Sequence, residues 1–159
     1  MTRGMSLSFL FLLAAAMFLP AQGQCAEAHD DMQPLIIVTT TKTMQQALAA
    51  VKVAIANNNY VFIRKQTINS HLIDKNQEDH KIILVYFCNF SMLHRALRLE
   101  KRVGVFLPCK ITLIQKADHV EMVAINPKFI SYRLKEKRLD KICKQLIEDY
   151  MAILEDASI

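Results

Sequence analysis

Two cysteines lie at positions where their sulfur atoms could act together. Cys88 follows the apolar run of residues 82–87, and Cys109 opens a second β-rich run directly after Pro108. If these runs are neighbouring strands, both sulfurs lie close together at the ends of their strands. Three interpretations stay open: two small buried apolar residues, a structural disulfide, or a reactive thiol pair or a metal or haem site. We therefore take Tyr86, Cys88, Asn89, Pro108 and Cys109 as the candidate ligand or redox site.

The spacing of the other reactive residue types points to no particular reaction. Neither cysteine belongs to a Cys-x-x-Cys or Cys-x-x-Cys-His arrangement, the patterns typical of thioredoxin-like chemistry and covalent haem attachment. His94 is a weak third metal-ligand candidate beside Cys88 and Cys109, because no two histidines have the spacing that places two ligands on one helix face. Three glycines cannot build a phosphate-binding loop, and no Gly-x-Ser-x-Gly elbow is present. We identify no catalytic residue and no cofactor, and we expect a binding role rather than an enzymatic one.

Basic residues form two clusters, and the chain carries a formal net charge of +5. Such clusters are usually solvated faces, and the alternative is a surface for an anionic ligand, an acidic partner or lipid headgroups. Nucleic acid is not an expected partner, because the leader described next predicts export. The first cluster contains Arg95, Arg98, Lys101 and Arg102, and the second contains Arg133, Lys135, Lys137, Arg138, Lys141 and Lys144.

The first 28 residues resemble a secretory signal peptide. A short basic start containing Arg3 precedes an apolar block over residues 6–19, which ends at Pro20. This block is shorter than the about 20 apolar residues that a membrane-spanning helix needs. Small residues allow cleavage after residue 23 or after residue 28. We therefore expect a periplasmic or secreted protein with one globular domain over residues 29–159 and no membrane anchor once the leader is removed.

The rest of the chain alternates between strand and helix patterns. We expect strands at residues 35–40, 60–68, 82–87, 109–116 and 120–125, with a polar turn centred on 74–79. Thr43 and Gln46 have the spacing of a capping box, which predicts a helix over residues 43–56. A short helix is expected over 89–101 with Ser91 as its cap, and an apolar stripe predicts a long helix over 139–154.

This order predicts an α+β fold, β-α-β-β-(short α)-β-β-α. Strands joined by short turns should form an antiparallel sheet of about five strands, with the long C-terminal helix and a second helix on one face. The other face is free to remain exposed, to cover a second subunit or to line a pocket. We expect a single domain that binds a small ligand or a partner protein.

Three motifs resemble those of the domain-of-unknown-function 302 family of bacterial proteins. They are the tetrapeptide at 86–89 (Tyr-Phe-Cys-Asn), the segment 104–111 (Gly-Val-Phe-Leu-Pro-Cys-Lys-Ile) and Asn126-Pro127. Phe90 replaces the family's usual proline, and Lys110 replaces a frequent asparagine. The resemblance implies a helix-grip fold similar to that of the TATA-binding protein, and it implies a homo-oligomer. It implies no activity, and similarity to the fold of a DNA-binding protein does not imply DNA binding.

Overall fold

The computed structural model describes residues 33–68 and 82–159. The expected leader and the polar turn centred on residues 74–79 lie outside the described residues. The described elements are β1 (Leu35–Thr40), α1 (Met44–Asn57), β2 (Val61–Ile68), β3 (Ile82–Cys88), α2 (Phe90–Leu99), β4 (Cys109–Gln115), β5 (Val120–Ile125), α3 (Pro127–Leu134) and α4 (Asp140–Ser158). Two short 3-10 helices, Lys101–Phe106 and Lys137–Leu139, follow α2 and α3.

The five strands form one antiparallel sheet in the order β1-β5-β4-β3-β2. Alternate residues of each strand point to the same face, so one face can be apolar while the other is mixed. The covered face contributes Val85, Phe87, Ile111 and Leu113, which are fully buried beneath α1 and α4. The predicted α+β class, the antiparallel sheet and the long C-terminal helix are confirmed.

The first helix forms as its sequence predicts. Thr43 caps α1 by accepting from the backbone N–H of Gln46, and the Gln46 side chain accepts from the backbone N–H of Thr43, which completes the capping box. The helix ends at Asn58 and Asn59, and Asn59 has a φ of 61°. Asparagine tolerates this left-handed conformation better than most residues do.

Two features of the helices differ from the prediction. Asn89, rather than Ser91, caps α2, because its side chain accepts from the backbone N–H of Met92 at 3.1 Å. Helix α3 was not predicted, although Asn126 caps it and Pro127 occupies its first turn. Both residue types favour a helix start, but α3 has only eight residues and too few apolar positions to show a clear period.

Two Glu-x-Arg pairs join the end of α2 to the end of α3. Glu100 caps the first 3-10 helix and pairs with Arg102 at 2.8 Å, and Glu136 caps the second and pairs with Arg138 at 2.8 Å. Each arginine also donates to a carbonyl on the opposite segment: Arg102 donates to Leu134 at 3.4 Å and Arg138 to Leu99 at 3.1 Å. We call these four charged residues the Glu-Arg clasp.

Within residues 33–68 and 82–159, no helix is both long and apolar enough to cross a bilayer. The longest described helix, α4, carries charged residues along its exposed side, including Lys141, Lys144, Glu148 and Glu155.

Candidate functional site

A cavity lies where β3 ends, β4 begins and β5 ends. Helices α2 and α4 form two of its walls, and the strand ends, both 3-10 helices and α3 contribute the rest. Its volume is about 60 Å³, which is small beside the roughly 150 Å³ of an apolar cavity that binds benzene. Its principal lining residues are Cys88, Asn89, Met92, Ala96, Cys109, Ile130, Cys143, Leu146 and Tyr150.

The predicted proximity of the two strand-terminal cysteines is confirmed. Strands β3 and β4 are direct neighbours, and Cys109 lies opposite Phe87, the residue before Cys88. Both cysteines line the cavity together with a third, Cys143, from α4. All three are free thiols, with Cys88 2% and Cys143 5% exposed and Cys109 half-buried.

Burial dominates the chemistry of these thiols. Loss of solvent raises the pKa of all three, because it penalises the thiolate more than the thiol. A negative charge on Cys109 would raise the pKa of Cys88 further, since the two groups are close enough to interact. The hydroxyl of Tyr150 beside Cys109 and the proximity of Ser131 to Cys143 lower the pKa of these thiols, but both effects are smaller than that of burial. The three cysteines are therefore protonated thiols near neutral pH.

An aromatic cluster supports the cavity from the side of the core. The Phe87 ring lies between Tyr60 and Tyr150, with centroid distances of 5.5 Å and 5.4 Å. The Tyr60 hydroxyl donates to a carboxylate oxygen of Asp149 at 2.7 Å, and it lies 3.6 Å from the Met92 sulfur. Burial, with the hydrogen bond to Asp149, raises the pKa of Tyr60 well above its usual value. Both tyrosines therefore stay neutral and act as hydrogen-bond donors.

The remaining predicted site residues have different positions. Asn89 lines the cavity, but its side-chain oxygen is used as the cap of α2. Pro108 follows Leu107 through a cis peptide bond and is not among the lining residues, whereas Leu107 is. Tyr86 lies on the opposite face of the sheet, where the Arg64 guanidinium stacks 4.2 Å from its ring centroid. Tyr86 therefore does not belong to the cavity.

No metal centre is formed by the part of the chain that the structure describes. Within it, no group of three or more His, Cys, Asp or Glu side chains is arranged to hold an ion. His94 is exposed on α2 and does not line the cavity. The predicted weak ligand set of Cys88, Cys109 and His94 is thus not brought together.

The predicted basic surface separates into three groups. Arg95 and Arg98 are exposed on α2, Arg102 and Arg138 belong to the Glu-Arg clasp, and Lys137 lines an open groove beside α4. The clasp arginines compensate carboxylates of their own chain, so they contribute little positive charge to a partner.

Among the cavity residues that were not selected from the sequence, three carry a sulfur atom or a hydroxyl group. Met92, Cys143 and Tyr150 lie on helices, 4 to 62 residues after Cys88. Cys143 and Tyr150 fall on the apolar stripe of the last helix, which indicates that they are buried but not which strand they face. Only the packing of α4 on the sheet brings them to Cys109.

The fold and site define a class of protein, a one-sheet α+β domain with a small sulfur-lined cavity at one end of the sheet. The sequence profile of the family described as "Domain of unknown function DUF302" matches residues 36–157. The chain belongs to this family, and the resemblance inferred from its motifs is confirmed.

A solved structure shows the same fold. The crystal structure of an uncharacterized conserved DUF302 protein from Bacillus stearothermophilus superposes with a TM-score of 0.71 at 17% sequence identity, covering 77% of this chain and 97% of that one. A search of curated proteins found no match. The comparisons therefore establish family and fold.

Proposed function

We propose that this protein is a non-enzymatic binding module whose cavity takes a small apolar molecule or the end of an apolar chain. One observation carries the proposal: the cavity lining is dominated by apolar side chains, and hydrogen bonds within the protein already engage two of its polar groups. The Asn89 oxygen accepts from Met92, and the Tyr150 hydroxyl bonds the Cys109 sulfur. Throughout the described residues, no buried side-chain nitrogen or oxygen lacks a hydrogen-bond partner. A polar ligand would find few hydrogen-bonding groups in this lining, and burying it unpaired is costly.

Helix α2 is the wall most easily displaced to admit a ligand. None of its residues is fully buried, and Met92, Leu93 and Ala96 are its contributions to the cavity. Segments with little buried apolar surface open at lower free energy than the core does. An apolar chain larger than the resting volume would therefore enter between α2 and α4.

The test uses xenon, a small apolar probe, detected by chemical-shift changes of methyl groups. We expect xenon to perturb Leu93, Ile130 and Leu146 in the native protein. Ala96→Leu fills the cavity and should abolish these changes, whereas the same substitution at Ala50, a half-buried residue of α1 outside the cavity, should leave them intact. Cys143→Met is a second filling variant from the opposite wall. Absence of xenon shifts in the native protein, or their persistence in both filling variants, would contradict the proposal.

The alternative function is thiol redox chemistry or metal or haem handling by Cys88 and Cys109. It is supported by the two sulfurs sharing one cavity. The raised pKa of both thiols weighs against it, because the thiolate is the reactive and metal-binding form. The apolar wall therefore favours ligand binding over thiol chemistry.

We also propose that the protein is exported to the periplasm or secreted. The support is the pattern of residues 1–28, a basic start followed by an apolar block and small residues. The intact mass of the protein isolated from its native cells tests this. Loss of residues 1–23 or 1–28 is expected, and a full-length cytoplasmic protein would refute it.

A further inference from the structure

An open groove of about 900 Å³ lies between α3, the second 3-10 helix and α4, outside the cavity described above. Six of its lining residues are cationic and two are acidic, a formal excess of four positive charges. The cationic residues are Lys128, Arg133, Lys135, Lys137, Lys141 and Lys144, and the acidic residues are Glu136 and Asp140.

Most of this positive charge is uncompensated by the described protein. Glu136 is occupied by Arg138 of the clasp. Among the residues the structure describes, no carboxylate forms an ion pair with Lys135, Lys137, Lys141 or Lys144, and all four are exposed. The groove is therefore a region of strong positive potential.

Apart from Asp140 in its first turn, the charges along α4 oppose the helix dipole. Helix N-termini favour acidic residues and C-termini favour basic ones, because of the aligned peptide dipoles. Here Asp140 is the one favourable charge of the first turn, but Lys141 and Lys144 follow it. Glu155 and Asp156 occupy the last turn, which contains no basic residue. The positive end of the helix dipole and the lysines thus add to the same potential. Helix stability does not explain this arrangement, whereas an anion-binding surface does.

The type of cation indicates how an anion would be bound. Arginine is favoured where a planar carboxylate or a phosphate is bound by two parallel hydrogen bonds, whereas lysine acts as a point charge and is also a common phosphate ligand. Five of the six cations are lysines. Their spread over three elements suits a ligand with several charged groups, and a concave groove of this size suits a molecule rather than a flat bilayer.

We propose that this groove binds a small soluble ligand that carries two or more phosphate groups. The probe is inorganic tripolyphosphate, titrated into the purified full-length protein by calorimetry. We expect binding that weakens at least fivefold between 50 and 200 mM salt, because exposed charges are screened. Inorganic monophosphate should bind at least tenfold more weakly than tripolyphosphate.

Matched double variants distinguish binding in the groove from a general effect of the protein's net charge. The double variant Lys141→Gln/Lys144→Gln should weaken tripolyphosphate binding at least tenfold. The control, Arg95→Gln/Arg98→Gln, removes the same charge from α2 and should change the affinity for tripolyphosphate less than twofold. All four side chains are exposed, so thermal unfolding should match that of the native protein. Equal weakening by both double variants, or no binding of tripolyphosphate, would overturn the proposal. Binding only to phosphatidylglycerol vesicles or only to a single-stranded oligonucleotide would also overturn it, in favour of a lipid or nucleic-acid surface.

Discussion

At the scale of single residues, solvent exclusion sets the properties of the thiols and tyrosines around the cavity. Cys88 and Cys109 lie at strand ends, positions that in other proteins expose reactive groups, but here helices α2 and α4 cover them. The hydroxyl of Tyr150 bonds the Cys109 sulfur and lowers its pKa, although burial has the larger effect. The residues are thus positioned for packing around a void.

We predict slow reaction of these thiols with a thiol reagent in the native protein. Because burial raises the pKa of Cys88, Cys109 and Cys143, their modification rates should continue to rise above about pH 9, where an ordinary thiol levels off. Site-resolved mass spectrometry after timed labelling measures this, and unfolding in denaturant should release all three at once. Rapid modification of Cys88 or Cys109 at neutral pH, or their loss only under oxidation, would instead support the thiol alternative.

The variant Tyr150→Phe tests how a single hydroxyl group affects the reactivity of Cys109. Removing the hydroxyl deletes the bond that favours the Cys109 thiolate, so modification of Cys109 should become slower while Cys88 is affected less. The lost hydrogen bond should cost about 1 kcal/mol of the free energy of unfolding. Faster modification of Cys109 in a variant that remains folded would show that Tyr150 shields the sulfur rather than bonding it.

At the scale of elements, the Glu-Arg clasp holds the α2 segment against the segment that leads into α4. Val103 and Leu139 each follow an arginine of the clasp, and they pack with Cys143 in a small second core. The four charges therefore fix the orientation of two cavity walls. The arginines are 63% and 65% exposed, so the clasp guides packing more than it adds free energy.

We predict a pH dependence that belongs to the clasp. Hydrogen bonds from Arg102 and Arg138 lower the pKa of Glu100 and of Glu136 from 4.5 to about 2. A lowered folded-state pKa stabilises the protein above the unfolded value, and this contribution is lost as pH falls toward 2. The free energy of unfolding should therefore fall more between pH 5 and pH 2.5 in the native protein than in Glu100→Gln/Glu136→Gln. Urea unfolding at a series of pH values measures the difference, and parallel profiles would contradict the assignment.

At the scale of the whole molecule, the two faces of the sheet differ in how far helices cover them. One face is buried under α1 and α4, whereas the other carries a cross-strand row of Ile37, Val123, Thr112 and Leu84. Ile37 is 52% exposed, and the other three are half-buried. Five strands spaced about 4.8 Å apart and about 20 Å long give a face of roughly 480 Å². Two facing copies would bury on the order of 1,000 Å², the low end for a specific interface.

We therefore predict a weak homodimer formed through this face, with dissociation in the micromolar range. Val123→Lys places a charge in the row and should shift the dissociation constant upward by tenfold or more, while Val53→Lys on the exposed side of α1 should not. Sedimentation equilibrium measures both. A native protein that is monomeric at high micromolar concentration, or a dimer that survives Val123→Lys, would exclude this interface.

Local sequence patterns were sufficient to predict most of the fold. The strands at 35–40 and 120–125, the capping box of α1 and the asparagines that end it were predictable, because each depends on residues within a few positions of one another. The cap of α2 was assigned to the wrong residue because Asn89 and Ser91 are both good caps, and only the chain's exit from β3 decides between them. The repeated Glu-Lys-Arg at 100–102 and 136–138 was a further signal of the two 3-10 helices and the clasp.

The candidate site was only partly predictable. Cys88 and Cys109 could be paired from strand order, since consecutive antiparallel strands place their ends together. Tyr86 was included wrongly in the cavity, because it is two residues from Cys88 yet alternation places it on the opposite face. Met92, Cys143 and Tyr150 could not be assigned, because a helical period shows which side of a helix is buried but not what it contacts.

By itself, the sequence determined the order of the five strands and of helices α1, α2 and α4, the apolar face of each and the family. These are set by neighbours along the chain, through backbone preference, capping and periodic burial. Only the tertiary structure decided that three distant thiols share one cavity. It also decided that Arg102 and Arg138 each donate to a carbonyl on the other arginine's segment. Such contacts join residues tens of positions apart, and they exist only once the helices have packed on the sheet and on one another.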